Sequence, residues 1–160
     1  MHWSWVMLAA ALLLGSGASA DPIAAPSTQF SVDLGGDAVD ACNAAGEGVA
    51  VVVVDAAGAP ISETEGAGAP DTGEDRATRK ARTAALFRTS SASVAVRAKS
   101  DPAIAARLKG DATFLAEAGG LPILRDGVLI GAIGVAGAST PAKDESCAAA
   151  GLAKMAGRAD

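Results

Sequence analysis

The sequence predicts an α/β domain with three layers, α/β/α, in which helices cover both faces of a central antiparallel sheet. Two pairs of apolar segments are each separated by a short turn, and such hairpins produce antiparallel strand pairs. One strand of each pair is apolar on both faces, so it needs helices above and below it. The chain of 160 residues has room for one domain of ordinary size.

The N-terminal segment has the pattern of an export signal. A nine-residue apolar run covers residues 6–14 and precedes Ala18-Ser19-Ala20, which fits the small-residue motif of a cleavage site. The run is too short to span a bilayer as a mature helix. We therefore expect residues 1–20 to be a signal peptide that is removed near Ala20. The mature protein is then periplasmic or secreted, without a membrane span; the alternative is a buried N-terminal helix.

The elements of the mature chain follow from capping residues, breaks and apolar runs. Residues 21–33 predict a flexible mature N-terminus, and residues 34–160 predict the folded domain. Gly35-Gly36 predicts a break, after which Asp37 caps the first helix. The expected elements are, in order, helix 37–45, strands 49–54 and 60–64, helix 75–87, helix 102–109, a helical turn over 112–118, strands 121–124 and 128–135, and helix 144–156.

Three of these elements have specific local signals. Residues 49–54 are almost entirely valine, which predicts a central strand covered on both faces. Asp101-Pro102 places a capping residue and a proline at the start of a helix. Asp126-Gly127 lies between two apolar runs, which is the strongest short signal for a hairpin.

The composition excludes several classes of function. The only histidine is His2, inside the predicted signal peptide, so the mature chain has no imidazole for Ser-His-Asp or Cys-His catalysis. Two cysteines cannot form a Cys₄ zinc site. The sequence has no tyrosine and few other aromatic residues, and its net charge is −5, so a nucleic-acid partner is not expected.

Four acidic residues could act as acid or base catalysts, but each has a structural explanation. Asp55 and Asp126 fall in predicted turns, where aspartate hydrogen-bonds to the backbone. Asp144 and Glu145 fall at the start of a predicted helix, where a negative charge is favourable. No motif indicates a particular reaction, so we do not expect an enzyme.

The charges divide the chain into two unequal parts. Residues 1–75 carry 11 acidic residues and no Lys or Arg, whereas residues 76–160 carry 13 basic and 7 acidic residues. The basic run begins at Arg76 on the helix predicted over 75–87. This run is either a solvated helix face or a wall that binds carboxylates or phosphates.

The ligand-binding prediction combines this helix with a glycine pair. Lys80 and Thr83 are three residues apart and share a helix face. Gly119-Gly120 could offer backbone N–H groups to an anion. The alternative is that Lys80 is a solvated lysine and that the two glycines only form a turn.

Several segments together resemble the GlcG/HbpS family. They are Val51-Val52-Val53-Val54-Asp55-Ala56-Ala57-Gly58, Lys80-Ala81-Arg82-Thr83-Ala84, Gly119-Gly120-Leu121-Pro122-Ile123, Asp126-Gly127 followed by Val128 to Val135, and Asp144-Glu145. Their order and spacing resemble the family over residues 34–156. The resemblance implies a profilin-like α/β fold and a homo-oligomer. Some members of the family bind haem, and related domains bind corrinoid cofactors.

The resemblance implies an exported small-ligand-binding protein, with haem or a related tetrapyrrole as the candidate cofactor. The ligand-binding residues that we predict are Arg76, Lys80, Thr83, Gly119, Gly120 and Pro122. Once His2 is removed, the iron ligands that remain include the thioether of Met155 and, as a weak candidate, the hydroxyl of Thr113. The alternative function is binding of small organic acids as an accessory to a periplasmic oxidoreductase.

The two cysteines are expected to pair. Export would place Cys42 and Cys147 in an oxidising compartment, where paired cysteines usually form a bridge. In the family fold the first and last helices are expected side by side on one face of the sheet, which would bring these cysteines together. The alternative is that both are buried as small apolar residues.

Overall fold

The structure, a computed structural model, describes residues 24–158. The signal peptide predicted for residues 1–20 and its cleavage site near Ala20 lie outside these residues. The described elements are α1 (Thr28–Ala44), β1 (Ala50–Asp55), β2 (Pro60–Glu65), α2 (Gly73–Phe87), α3 (Ser91–Ala98), α4 (Pro102–Gly110), β3 (Gly120–Arg125), β4 (Val128–Ala136) and α5 (Pro141–Ala156). No helix within residues 24–158 is long and apolar enough to cross a bilayer.

The four strands form one antiparallel sheet in the order β2-β1-β4-β3. The two apolar strands are central, as predicted, and two hairpins supply the edges. Asp126 and Gly127 both have positive φ, 51° and 77°, which is the backbone geometry that a two-residue hairpin turn requires. The antiparallel sheet of the predicted fold class is therefore confirmed.

The two faces of the sheet are covered by different helices. On one face α1 and α5 pack against Val51, Val53, Ile133 and other large apolar side chains. On the other face α2 packs against Val52, Val54, Ala132 and Ala136 through the alanines Ala77, Ala81, Ala84 and Ala85. Because Gly134 of β4 lies directly under the carbonyl of Ala77, a Cβ at this position has no room. The three-layer α/β/α arrangement is confirmed.

The first helix is longer than predicted. Ser27 caps α1 by accepting a hydrogen bond from the N–H of Phe30 at 3.2 Å, and the helix continues without interruption to Ala44. The predicted break at Gly35-Gly36 and the predicted start at Asp37 are wrong. Gly35 serves close packing instead, because a Cβ there would lie 2.5 Å from Oγ1 of Thr64. Residues 28–33, expected in the flexible N-terminus, are helical.

Two further predictions need correction. Residues 112–118 form turns and bends instead of a helical turn. This segment is held to α2 by tertiary hydrogen bonds: the N–H of Leu115 donates to Oγ1 of Thr83 at 2.9 Å, and Arg79 donates to the carbonyl of Phe114 at 3.2 Å. The last helix begins at Pro141, because Thr140 is its N-cap and accepts from the N–H of Lys143.

A disulfide joins Cys42 on α1 to Cys147 on α5, with their Cα atoms 5.5 Å apart. The helices approach closely here, and a Cβ on Gly151 would lie 3.1 Å from Cβ of Ala38. The predicted pairing is confirmed, and the alternative of two free buried cysteines is wrong.

Candidate functional site

A polar cleft opens where the N-termini of α2 and α5 meet the end of β4. Its volume is about 310 Å³. Its lining residues come from four parts of the chain: Pro70, Thr72, Arg76, Glu117, Gly137, Ala138, Pro141 and Asp144. The first turns of two helices carry partial positive charge at this point.

A charged cluster forms the inner wall of the polar cleft and the layer behind it. It consists of Arg76, Lys80, Glu117 and Asp144. Nζ of Lys80 is fully buried and donates to Oδ2 of Asp144 at 2.7 Å and to the carbonyl of Val135 at 3.2 Å. Glu117 lies 3.3 Å from the same Nζ and also pairs with Arg76. The cluster carries two formal charges of each sign.

Local sequence explains how this cluster assembles. Arg76 and Lys80 are four residues apart on α2, so both side chains leave the same face of the helix. Asp144 lies in the first turn of α5. Gly119 has a φ of 121°, and a Cβ there would lie 2.9 Å from Cβ of Asp144 and 3.1 Å from Cδ of Lys80. A glycine at this position therefore lets the lysine and the aspartate meet.

The buried carboxyl of Asp144 has a shifted pKa. Burial raises its pKa above the ordinary value of 3.8, although the hydrogen bonds from Lys80 and from the N–H of Ala138 oppose the shift. The N–H of Ala138 donates to Oδ1 at 2.9 Å, so each carboxylate oxygen has one partner. This arrangement fixes the orientation of the carboxyl group at the base of the cleft.

An apolar groove lies at the other end of the sheet, on the face that α1 and α5 cover. Its volume is about 470 Å³. It lies between the start of α1, the end of α5 and the β3–β4 hairpin, and its lining residues are Phe30, Pro122, Ile123, Leu124, Arg125, Ile130, Leu152, Met155 and Ala156. Sδ of Met155 accepts a hydrogen bond from Nη1 of Arg158 at 3.3 Å. The lining of the groove is therefore mainly apolar, with one thioether and one arginine.

Comparison with known proteins identifies the family. A sequence model of the family described as "Haem degrading protein HbpS-like" matches residues 29–153. The chain belongs to the HbpS-like family. The resemblance stated from the sequence motifs is therefore confirmed. A comparison with curated protein sequences finds no match.

Solved structures of the HbpS-like fold agree closely with this chain. A double mutant of HbpS from Streptomyces reticuli is 33% identical, with a TM-score of 0.76 over 92% of this chain and 98% of that one. The crystal structure of a PduOC–haem complex is 25% identical, with a TM-score of 0.72 over 81% of this chain and 94% of that one. Klebsiella pneumoniae protein ORFY is 16% identical with a TM-score of 0.78 over 86% of this chain and 95% of that one, which shows the shared fold alone.

The structure of this HbpS-like chain separates the predicted ligand-binding residues. Arg76 lines the polar cleft, and Lys80 lies buried directly behind it. Lys80 is therefore not the solvated lysine of the alternative interpretation. Pro122 lines the apolar groove instead. Thr83 is buried and bonds to the carbonyl of Arg79 and the N–H of Leu115, so it joins α2 to the segment before β3.

The two glycines that were expected to bind an anion have protein partners. The N–H of Gly119 donates to Oε2 of Glu145 at 3.4 Å, and the N–H of Gly120 donates to Oγ of Ser91 at 2.9 Å. The ligand-binding role assigned to Arg76, Lys80, Thr83, Gly119, Gly120 and Pro122 stays a prediction.

Thr113 lies in an exposed turn, away from both concavities. Its hydroxyl donates to Oδ1 of Asp111 at 2.7 Å, and this bond lowers the pKa of Asp111. Within residues 24–158, no group of three or more His, Cys, Asp or Glu side chains is placed to hold a metal ion. The iron-binding role of Thr113 stays a prediction.

The sequence analysis missed the roles of Glu117 and of the apolar groove. Glu117 contacts Lys80 across an intervening 36 residues of chain that contain α3 and α4, so no local pattern marks it. The groove needs the start of α1 and the end of α5 together. Phe30 was expected in a flexible segment, and of the residues that line the groove the sequence singled out Pro122 and Met155.

Proposed function

We propose that this protein is an exported tetrapyrrole-binding protein that holds the macrocycle of haem in the apolar groove. The observation that carries the proposal is the groove itself, an apolar concavity of about 470 Å³ with an arginine in its lining. Haem has a flat apolar ring and two charged propionates. The ring can pack against an apolar surface while a propionate pairs with a neighbouring guanidinium. Membership of the HbpS-like family and the likeness to the PduOC–haem complex support this choice of ligand.

The residues of the groove fit the ring of haem better than they fit its iron. Phe30, Ile123 and Leu152 supply apolar contacts, and Arg125 is placed to pair with a propionate. Haem iron in proteins is held by His, Cys thiolate, Met or Tyr. The sequence has no tyrosine, both cysteines are in the disulfide, and the one histidine, His2, lies outside the described residues. Met155 is therefore the conventional ligand available in the groove.

This donor set predicts that apolar contact dominates the binding free energy. Haem, when bound, supplies an iron centre for electron transfer or O₂ chemistry. The chain's own residues bury the ring, pair with its carboxylates and shield it from water. We therefore expect the metal-free ring to bind almost as tightly as the iron complex.

A titration with two porphyrins tests this proposal. Mature, oxidised protein is titrated with haemin and with metal-free protoporphyrin IX, and binding is followed by the Soret band and by porphyrin fluorescence. We expect both to saturate, with dissociation constants within about tenfold of each other, about 1.4 kcal/mol. A haemin spectrum that matches haemin in buffer at every ratio would contradict the proposal.

Matched variants locate the site. Leu152→Asp is expected to weaken both porphyrins, because it places a charge on the apolar wall. Met155→Leu is expected to change the haemin spectrum and to leave the protoporphyrin affinity unchanged. Val96→Asp is the control, since Val96 is 65% exposed on α3 and does not line the groove.

We also infer that the protein is exported and binds its ligand without transforming it. The buried disulfide supports export, because disulfides persist in oxidising compartments. Because the family is described as haem degrading, the test is whether bound haem is consumed. The haem complex is incubated with ascorbate as reductant, and its Soret band is followed over time. A persistent band is the expected result; loss of the band with release of iron would indicate an enzyme.

The oligomeric state is a further part of the proposal. We propose a homo-oligomer, as the family resemblance implies. Light scattering on the mature protein is expected to give a mass that is a multiple of the chain mass, and a monomeric mass would contradict it.

A further inference from the structure

The polar cleft presents both signs of charge to one small volume. The side chain of Arg76 is 40% exposed and that of Glu117 is 31% exposed, while Asp144 lies deeper with 5% of its side chain exposed. Lys80 is fully buried behind them and holds Asp144 in place. The cleft and the apolar groove share no lining residue, so a ligand here is independent of the tetrapyrrole.

Glu117 has two cationic neighbours, and this redundancy makes Arg76 available to a ligand. If Arg76 turns to a bound carboxylate, Glu117 keeps Nζ of Lys80 at 3.3 Å as its partner. Displacing the arginine therefore leaves no carboxylate of the cluster without a positive neighbour. A bidentate arginine–carboxylate pair is among the stronger hydrogen-bonded pairs in proteins.

The sign of the charges selects the class of ligand. A simple organic anion would gain Arg76 but would face the carboxylates of Glu117 and Asp144. A simple cation would gain these carboxylates but would face Arg76, with Lys80 behind. A molecule that carries both charges gains from both sides and leaves the cluster balanced.

We propose that the polar cleft binds a small zwitterion of the free amino acid type. The ligand's carboxylate pairs with Arg76, and its ammonium group donates to Glu117 and Asp144. The cleft volume of about 310 Å³ is roughly ten times the share of one water molecule in the liquid, which is ample for a molecule of this size. This assignment replaces the organic acid of the alternative function by a ligand that also carries a positive charge.

Three ligands of similar shape test the charge requirement. The thermal midpoint of the mature, oxidised protein is measured at rising concentrations of each common amino acid. L-Lactate and L-alaninol are measured in the same way as the analogues of L-alanine. Lactate lacks the ammonium group and alaninol lacks the carboxylate. We expect at least one amino acid to raise the midpoint in a saturable way. Its hydroxy-acid and amino-alcohol analogues should need about tenfold higher concentration for the same shift.

Each other outcome overturns the proposal. Equal stabilisation by the hydroxy acid would make the cleft an anion site, and equal stabilisation by the amino alcohol would make it a cation site. No shift with any amino acid would mean that the charged cluster is structural only.

Variants test whether the amino acid binds in the polar cleft. Arg76→Gln and Glu117→Gln are each expected to weaken the amino acid about tenfold. Arg97→Gln makes the same charge change as Arg76→Gln on an exposed residue of α3 outside the cleft and should leave the affinity unchanged. Leu152→Asp in the apolar groove should leave the amino acid affinity unchanged, so failure of this site and failure of the tetrapyrrole proposal can be told apart.

Discussion

The two faces of the sheet are built by opposite means. The α2 face is built from alanine and glycine, so the backbones of the helix and the strands are almost in contact. This close contact fixes the position of α2 on the sheet. The α1/α5 face uses large apolar side chains and a covalent link between its two helices. The N-terminus of α2 borders a polar cleft with fixed charges, which it shares with the N-terminus of α5, and the far end of the α1/α5 face forms an apolar groove. Close contact between backbones fixes the positions of the charged groups, whereas packing through large side chains leaves an apolar concavity between the elements.

The largest expected effect comes from removing the covalent link on the α1/α5 face. The paired variant Cys42→Ser/Cys147→Ser should lose about 4.7 kcal/mol of unfolding free energy, because the disulfide closes a loop of about 100 residues. Urea unfolding of the two proteins measures the loss. Wild type in reducing buffer should unfold at the same urea concentration as the variant. A variant as stable as the oxidised protein would show that apolar packing alone holds this face.

A smaller effect is expected at the buried ion pair that joins Lys80 of α2 to Asp144 of α5. Asp144→Asn leaves the ammonium of Lys80 buried without its nearest carboxylate, which should cost about 3 kcal/mol. Lys80→Met/Asp144→Leu removes both charges and should recover at least half of that loss, although the N–H of Ala138 then loses its acceptor. Denaturant unfolding of the wild type, Lys80→Met, Asp144→Leu and the double variant forms the cycle, and Asp144→Asn is measured beside it. If the double variant is the least stable of the four, the pair itself stabilises the fold.

The smallest effect distinguishes two neighbouring glycines of α1. Gly36 lies inside the helix with no heavy atom near an added Cβ, so Gly36→Ala should stabilise the protein by about 0.5–1 kcal/mol. Gly35→Ala introduces the same atom against Thr64 and should destabilise it. Thermal midpoints of the two variants provide the measurement. Equal shifts of the same sign would show that α1 does not approach β2 as described.

The sequence predictions were accurate where the interactions are between residues close together in the sequence, and less accurate where the residues are far apart in it. The hairpins were predictable because the valine run and Asp126-Gly127 are local signals. The disulfide was predictable because two cysteines allow one pairing and the family fold brings their helices together. The start of α1 was predicted wrongly because Gly35-Gly36 suggests a break, while the packing that requires Gly35 comes from β2.

The candidate site was less predictable than the fold for the same reason. The position of Lys80 on a helix was clear, but its burial depends on Asp144, which is 64 residues away. Arg76 lines one concave surface and Pro122 lines another. Residues that were grouped by their chemistry therefore do not form one surface.

The disulfide makes most of the folded chain a covalent ring. Residues 42 to 147 contain all four strands and three helices, so a single backbone cut between them opens the ring without releasing a fragment. The bond can also form only after Cys147 has emerged, when all four strands have already been synthesised. The ring therefore closes late, and it then keeps the strands of the sheet together even after one cleavage.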